Sequence, residues 1–106
     1  MINSQLKKGL LDVCVLSVLN RESSYGYKIL KDLTGYVDLS ESTLYPVLRR
    51  LESNGHVISH SVEHNGRLRK MYSVTPSGKA LIYEFLEEWK EIEKIHRYIK
   101  EGFEHE

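Results

Sequence analysis

The sequence predicts a mainly α-helical fold that carries one small β-hairpin. Most apolar residues recur at the three- and four-residue spacing of amphipathic helices. This period changes to two only between Val57 and Thr75, and the dipeptide Asn65-Gly66 lies in the middle of that stretch. Asn-Gly is a strong hairpin signal because both residues accept the positive φ angles of a type I′ turn. At 106 residues the chain is long enough for one modest core.

The first two predicted helices differ in how much of their surface is apolar. Residues 6–19 are apolar on almost every side, so this helix must be covered by its own domain or by a partner chain. Ser24 is a predicted N-cap for a second helix that runs from Tyr25 to about Thr34. Gly35 is the predicted C-terminal stop of that helix.

The third predicted helix contains the segment STLYPVLRRLESNG, residues 42–55, with Ser40 as its predicted N-cap. Its apolar face is formed by Leu44, Val47, Leu48 and Leu51. Opposite them lie Ser42, Pro46, Arg49 and Ser53, with Tyr45 and Arg50 at the flanks. Because proline lacks a backbone N–H, we expect Pro46 to lie in the first turn or to mark a later start near Tyr45. The outward face fits base and phosphate contacts, and an ordinary solvated face is the alternative.

Two β-prone runs, residues 57–63 and 68–75, follow this helix and flank Asn65-Gly66. The far side of the hairpin tip is basic, through Arg67, Arg69 and Lys70. Two short helices joined by a tight turn are typical of a helix-turn-helix, and a hairpin directly after the second helix is a wing. The sequence therefore predicts a winged helix-turn-helix domain over residues 1–75.

The remaining residues, 76–106, are predicted to form a long C-terminal dimerisation helix. Thr75 is its predicted N-cap and Pro76 its first residue. Apolar residues then recur at alternating steps of three and four, interrupted only by one histidine, and form a stripe that we call the seam: Ile82, Phe85, Trp89, Ile92, His96, Ile99 and Phe103. So regular a repeat indicates a partner helix, whereas a long helix packed along its own domain is the alternative explanation.

Charge and composition narrow the function classes. Residues 1–75 carry ten Lys/Arg against seven Asp/Glu, and residues 76–106 carry five against eight. The first part is therefore suited to face a polyanion and the second is not. No apolar run is long enough to span a membrane, which predicts a cytoplasmic protein.

Neither catalytic nor metal-binding patterns stand out. No Ser/His/Asp or Cys/His pairing stands out and there is no phosphate-cradling glycine loop, so the chain is predicted not to be an enzyme. His56, His60 and His64 are spaced by four residues, but in a strand four residues span about 13 Å. Ligands of one zinc ion each lie about 2 Å from it, so no metal and no cofactor are predicted.

Three segments resemble the signature segments of PadR-type transcriptional regulators in order and spacing: YGYKIL, STLYPVLRRLESNGHV and GRLRKMYSVTPSGKAL. The C-terminal EFLEEWKEIEKI is similar to the short-tailed PadR subgroup, in which a single helix forms the dimer. The resemblance implies a homodimeric winged-helix protein that usually represses transcription. It also implies release from DNA by a small molecule, often aromatic or phenolic.

These observations together predict the partners and the site residues. The partner is double-stranded DNA with a palindromic operator, bound through Lys28, Ser42, Thr43, Tyr45, Pro46, Arg49, Arg50, Arg67, Arg69 and Lys70. Tyr45 and Arg49 are expected to read bases, whereas the wing cations mainly hold the DNA backbone. A small aromatic effector is expected against Trp89 between two copies, and packing of Trp89 into the dimer core is the alternative. A winged-helix module that binds only protein is the alternative function.

Overall fold

The computed structural model describes residues 4–105, with side chains described from Gly9 onward. Its elements are, in chain order, α1 (Ser4–Arg21), α2 (Gly26–Leu33), α3 (Glu41–Ser53), β1 (Val57–His64), β2 (Arg67–Val74) and α4 (Pro76–Glu104). The two strands form a single antiparallel sheet. The predicted fold, mainly helical with one hairpin and a long C-terminal helix, is confirmed.

The core forms where α1 packs against α2, α3, α4 and β2. Val15 and Leu16 of α1 are completely buried, as are Ile29 of α2 and Leu44 of α3. The amphipathic pattern of α3 is confirmed, because all four residues of its predicted apolar face are buried. Burying these aliphatic side chains away from water is the main favourable contribution to folding, at about 1.5–3 kcal/mol for each.

The start of α2 differs by one residue from its prediction. The N-cap is Tyr25, which has an extended backbone, and the helix begins at Gly26. Ser24 instead exchanges two backbone hydrogen bonds with Tyr72, at N–O distances of 3.1 and 2.7 Å. This pairing holds the α1–α2 connection against the edge of β2. The predicted stop is confirmed, since Gly35 adopts a left-handed φ of 94° just after the C-cap.

Pro46 lies deeper in its helix than we expected. The N-cap Ser40 is confirmed, but α3 begins at Glu41, so Pro46 occupies the second turn and not the first. The expectation that Pro46 falls in the first turn, or that the helix starts near Tyr45, is therefore wrong. In this position the missing N–H of Pro46 leaves the carbonyl of Ser42 without its usual helical donor.

The hairpin has the predicted turn. Asn65 and Gly66 both have positive φ, at 52° and 76°, as a type I′ turn requires. The strands pair from Val57 opposite Val74 to His64 opposite Arg67. Val57 and Tyr72 are buried at the base of the hairpin, whereas the tip is exposed. The wing therefore projects from the core as a two-stranded arm.

α4 is capped as predicted and then leaves the core. The Thr75 hydroxyl accepts a hydrogen bond from the Gly78 N–H at 3.2 Å, and Pro76 occupies the first turn. The first turns pack on the core through Leu81 and Ile82. Residues 88–105 are exposed throughout, and the molecule is 64 Å long in its longest dimension. The C-terminal half of α4 thus extends beyond the compact part of the chain.

Two further findings concern residues 4–105. Within this range, the structure contains no helix long and apolar enough to cross a membrane. The same residues include no cluster of three or more His, Cys, Asp or Glu side chains arranged to hold a metal ion. His60 and His64 lie in β1, the extended conformation that the sequence predicts for them.

Candidate nucleic-acid interface

The outward face of α3 is exposed along its length. Ser42, Thr43, Tyr45, Pro46 and Arg49 are all exposed, and Tyr45 retains 42% of its accessible surface. The Ser40 hydroxyl lies 3.0 Å from that of Ser42 and 3.2 Å from that of Thr43, which holds these hydroxyls together at the start of the helix. This helix therefore presents hydroxyl, aromatic and cationic groups to solvent from one side.

α3, the start of α2 and the wing together enclose an open cleft of about 720 Å³. It is rich in aromatic and charged groups and is lined by Tyr25, Gly26, Tyr27, Tyr45, Arg49, Glu52, Arg69, Lys70 and Tyr72. We call it the α3–wing cleft. Four of the predicted DNA-binding residues, from both α3 and β2, therefore share one surface. Within this cleft, burial raises the pKa of the Tyr72 phenol, and the nearby Lys70 ammonium opposes this shift.

Tyr45 packs directly against the start of α2. A Cβ atom placed on Gly26 would lie only 2.9 Å from Cζ of the Tyr45 ring, closer than carbon atoms pack. Gly26 is buried beneath this ring. The absence of a side chain at Gly26 therefore lets Tyr45 lie across α2, which orients the phenol on the outward face of α3.

The wing presents its cations in two different environments. The Arg69 guanidinium lies over the Tyr25 ring at 3.9 Å from its centroid, a cation–π contact that holds the side chain against the α1–α2 connection. Arg67 lies next to the turn and is exposed. Lys70 lies 3.7 Å from a carboxylate oxygen of Glu52, and the other oxygen of Glu52 accepts a hydrogen bond from the Ser59 hydroxyl. Glu52 thus ties α3 to both strands of the wing.

Two of the predicted DNA-binding residues, Arg50 and Lys28, form ion pairs with acidic side chains. Arg50 forms a partly buried ion pair with Asp12 of α1, which joins α3 to α1. Lys28 lies between Asp32 and Glu22, at 3.1 and 3.2 Å, and these hydrogen bonds raise the pKa of its ammonium group. The structure does not bring Lys28 or Arg50 into the lining of the α3–wing cleft.

Sequence reasoning missed several residues that line the cleft. Tyr25 and Tyr27 flank Gly26, and this Tyr-Gly-Tyr pattern at a helix start was an available signal for an aromatic surface. Tyr72 and Glu52 gave no comparable signal. Tyr72 is an ordinary aromatic residue of a β-prone run, and Glu52 is an ordinary polar residue of an amphipathic helix. Their role depends on which elements meet in three dimensions.

The residues of the seam lie along the side of α4, with exposure that rises toward its C-terminal end. Ile82 is partly buried against the core, whereas Ile92 retains 43% and Phe103 77% of their accessible surface. Trp89 retains 37%, and its ring stacks on Phe85 with centroids 5.9 Å apart and planes at 22°. The seam therefore forms a stripe that is apolar except at His96, on a helix that leaves its own core.

Comparisons with known proteins agree with this architecture. The model of the "Transcriptional regulator PadR-like family" matches residues 15–84. The transcriptional regulator Rv3488 of Mycobacterium tuberculosis is 32% identical over 83 residues, which cover 78% of this chain and 65% of that protein.

Solved structures are similar over most of the chain. A transcriptional regulator from Clostridium thermocellum, Cth-833, superposes with a TM-score of 0.79 at 33% identity and covers 92% of this chain and 96% of its own. Bacillus subtilis PadR, solved in complex with operator DNA, shares the fold with a TM-score of 0.67 at 24% identity. That match covers 73% of this chain and 45% of the PadR chain.

Proposed function

This chain belongs to the PadR-like family of transcriptional regulators, and from that premise we propose that it binds a palindromic operator as a homodimer. Residues 1–75 form the DNA-binding domain in this proposal, and residues 76–106 form the dimerisation helix. It acts as a repressor that a small aromatic effector releases from DNA. Its site of action in this proposal is the cytoplasm.

One observation carries the proposal: the exposed face of α3 and the cations of the wing border the same cleft. The major groove of B-DNA is wide enough for an α-helix, and base edges present distinct donor and acceptor patterns there. Tyr45 and Arg49 lie on the exposed face and would read bases, together with Ser42, Thr43 and Pro46. Arg67, Arg69 and Lys70, all on β2, would hold the phosphate backbone beside the groove. Bacillus subtilis PadR, which shares this fold, was solved with operator DNA.

Arg50 and Lys28 have different roles in this proposal from those of the exposed arginines and lysines of the site. Arg50 and Lys28 each have acidic partners within hydrogen-bonding distance, so neither presents a free charge in the isolated chain. We propose that Arg50 mainly joins α3 to α1. Lys28 contributes to DNA binding only if phosphate displaces Asp32 and Glu22, which exposed ion pairs of this kind allow at low cost.

Dimerisation through the seam is supported by the exposed apolar stripe on α4. Large apolar side chains exposed along one side of a helix at this regular spacing favour a helical partner. A second copy of the same helix supplies a stripe of matching period. The two recognition helices of such a dimer would bind half-sites about one helical turn apart, or a multiple of it.

Selection of bound duplexes from a random-sequence library tests the proposal. We expect recovery of a palindrome, and we expect its affinity to fall steeply between about 50 and 200 mM salt because phosphate contacts release counterions. Recovery of no preferred sequence, together with weak and salt-insensitive binding, would instead favour a winged-helix module that binds only protein.

A further inference from the structure

Glu52 is the one acidic side chain among the described residues that line the α3–wing cleft. It follows Tyr45 and Arg49 on the same stripe of α3, at steps of four and three residues. One carboxylate oxygen accepts from the Ser59 hydroxyl, and the other lies 3.7 Å from Nζ of Lys70. A negative charge is thus built into a surface that is otherwise cationic and aromatic.

The two contacts of Glu52 differ in strength. The hydrogen bond from Ser59 is part-buried, whereas the Lys70 side chain in the ion pair retains 55% of its accessible surface. Exposed pairs with this separation contribute at most about 1 kcal/mol, because water screens them. Glu52 is therefore fixed by Ser59, while Lys70 is free to exchange the carboxylate for a stronger anion.

We propose that Glu52 is a specificity-determining residue, because it withholds Lys70 from phosphate unless the protein is docked on its operator. This inference rests on the proposed DNA binding. Specificity is a difference between two affinities, so an element that weakens binding to the wrong sequence raises it as effectively as a new contact to the right one.

The mechanism follows from how tightly the wing is held in each complex. On the operator, base contacts from α3 fix the register and press the wing against the backbone, so a phosphate replaces Glu52 as the partner of Lys70. On other sequences these base contacts are absent and the wing is held loosely. Lys70 then stays with Glu52, and the complex has one phosphate contact fewer in each subunit.

The variant Glu52→Gln tests this, because glutamine still accepts a hydrogen bond from Ser59 but no longer attracts Lys70. We expect its affinity for a random-sequence duplex to rise roughly two- to five-fold per bound subunit. The slope of log affinity against log salt on that duplex should steepen by roughly one per subunit, since a further phosphate is neutralised. The operator slope should remain that of the unmodified protein.

Lys70→Gln tests the same pair from the other side. It should flatten the operator slope by roughly one per subunit and leave the random-duplex slope unchanged. Glu63→Gln is the matched control, since it removes the same charge from an exposed position on the wing. We expect this control to leave both slopes unaltered.

Three outcomes would overturn the inference while leaving DNA binding intact: an unchanged random-duplex slope in Glu52→Gln, equal changes on both duplexes, or the same effect from Glu63→Gln. Failure of the unmodified protein to prefer any duplex would contradict the proposed function itself. The two failures are thus distinguished by the unmodified protein alone.

Discussion

At the scale of single residues, Gly78 is a position where the fold leaves no room for a side chain. A Cβ atom there would clash with the carbonyl oxygen of His56 and lie 2.7 Å from Cγ2 of Val74. The first of these is backbone and cannot rotate away. The start of α4 is therefore packed against the α3–β1 connection as closely as a glycine permits.

We predict that Gly78→Ala destabilises the protein by about 1–3 kcal/mol, as overpacking of a filled core does. Gly102→Ala is the matched control, because nothing lies within 4 Å of its added Cβ. That variant should gain up to about 1 kcal/mol from the higher helix propensity of alanine. Urea unfolding at a fixed protein concentration measures both changes. Equal stability of the two variants would contradict the close packing of α4.

The adjacent residues Arg49 and Arg50 are expected to have different roles: the exposed Arg49 in DNA recognition and the ion-paired Arg50 in stability. Arg50→Ala removes the partner of Asp12 and should cost about 1 kcal/mol of unfolding free energy. Arg49→Ala should leave stability nearly unchanged but lower discrimination by about 1–3 kcal/mol at the base pair it contacts. Urea unfolding and binding to single-site operator variants give the two readouts. The opposite pattern would exchange the two roles.

At the scale of elements, the packing of α2 against α3 sets the position of the Tyr45 ring. We predict that Gly26→Ala displaces this ring, because the added methyl group would occupy its place. Stability should change little, since the half-exposed phenol can rotate into solvent. Operator affinity should fall several-fold, and the loss should be absent when the same substitution is made in Tyr45→Ala.

A different result in that double-mutant cycle would be informative. If Gly26→Ala weakens binding equally with and without the Tyr45 ring, the glycine acts through the backbone of α2 and not through Tyr45. Binding to the selected palindrome, measured at one salt concentration for all four proteins, is sufficient to decide.

The elements that could be predicted are those specified by local sequence. The Asn65-Gly66 turn and the Thr75-Pro76 helix start depend on φ angles and caps within a few residues, and both are present. The site could be predicted only in part. The helical period places Arg50 at the flank of the outward face of α3. Its ion pair with Asp12, 38 residues earlier in the chain, depends on the packing of α1 against α3 and is visible only in the structure.

For the same reason, the sequence does not predict that Glu52 contacts the wing. It lies near the C-terminal end of α3, between the buried Leu51 and the exposed Ser53, and a solvated carboxylate is the ordinary expectation there. Its contacts with Ser59 and Lys70 arise only once the hairpin folds back over α3, which no local pattern specifies. Pro46 shows the converse: the local preference of proline for the first turn is clear, yet α3 begins at Glu41 and contains Pro46 in its second turn.

At the scale of the whole molecule, the exposed stripe on α4 predicts assembly. Ile92→Asp should yield monomers with greatly weakened operator binding, because a charge at the centre of the seam would have to be buried without a partner. Tyr98→Asp is the control, since it places the same charge on the same helix at a residue outside the seam that retains 80% exposure. Sedimentation measures the mass of each variant. A dimeric Ile92→Asp would show that the chains associate through another surface.

The position of Trp89 on the seam is suited to an effector site between two copies of the chain. Trp89 belongs to the seam, and in the single chain its only stacked aromatic neighbour among the described residues is Phe85. In a dimer, two such indoles near the two-fold axis would form flat walls for a planar ring, since aromatic stacking tolerates varied substituents. Ligand binding there would alter how the two α4 helices cross, and hence the separation of the two α3 helices.

We therefore predict that planar aromatic compounds that release the operator also quench the emission of Trp89, which is the only tryptophan in the sequence. Trp89→Phe should retain the dimer and bind such compounds more weakly, because it keeps an apolar ring but has a smaller stacking surface. Trp89→Ala should still bind the operator and lose the response to the compounds. If compounds release the operator without changing the emission, and Trp89→Ala responds to them normally, the effector binds elsewhere and Trp89 serves to fill the dimer core.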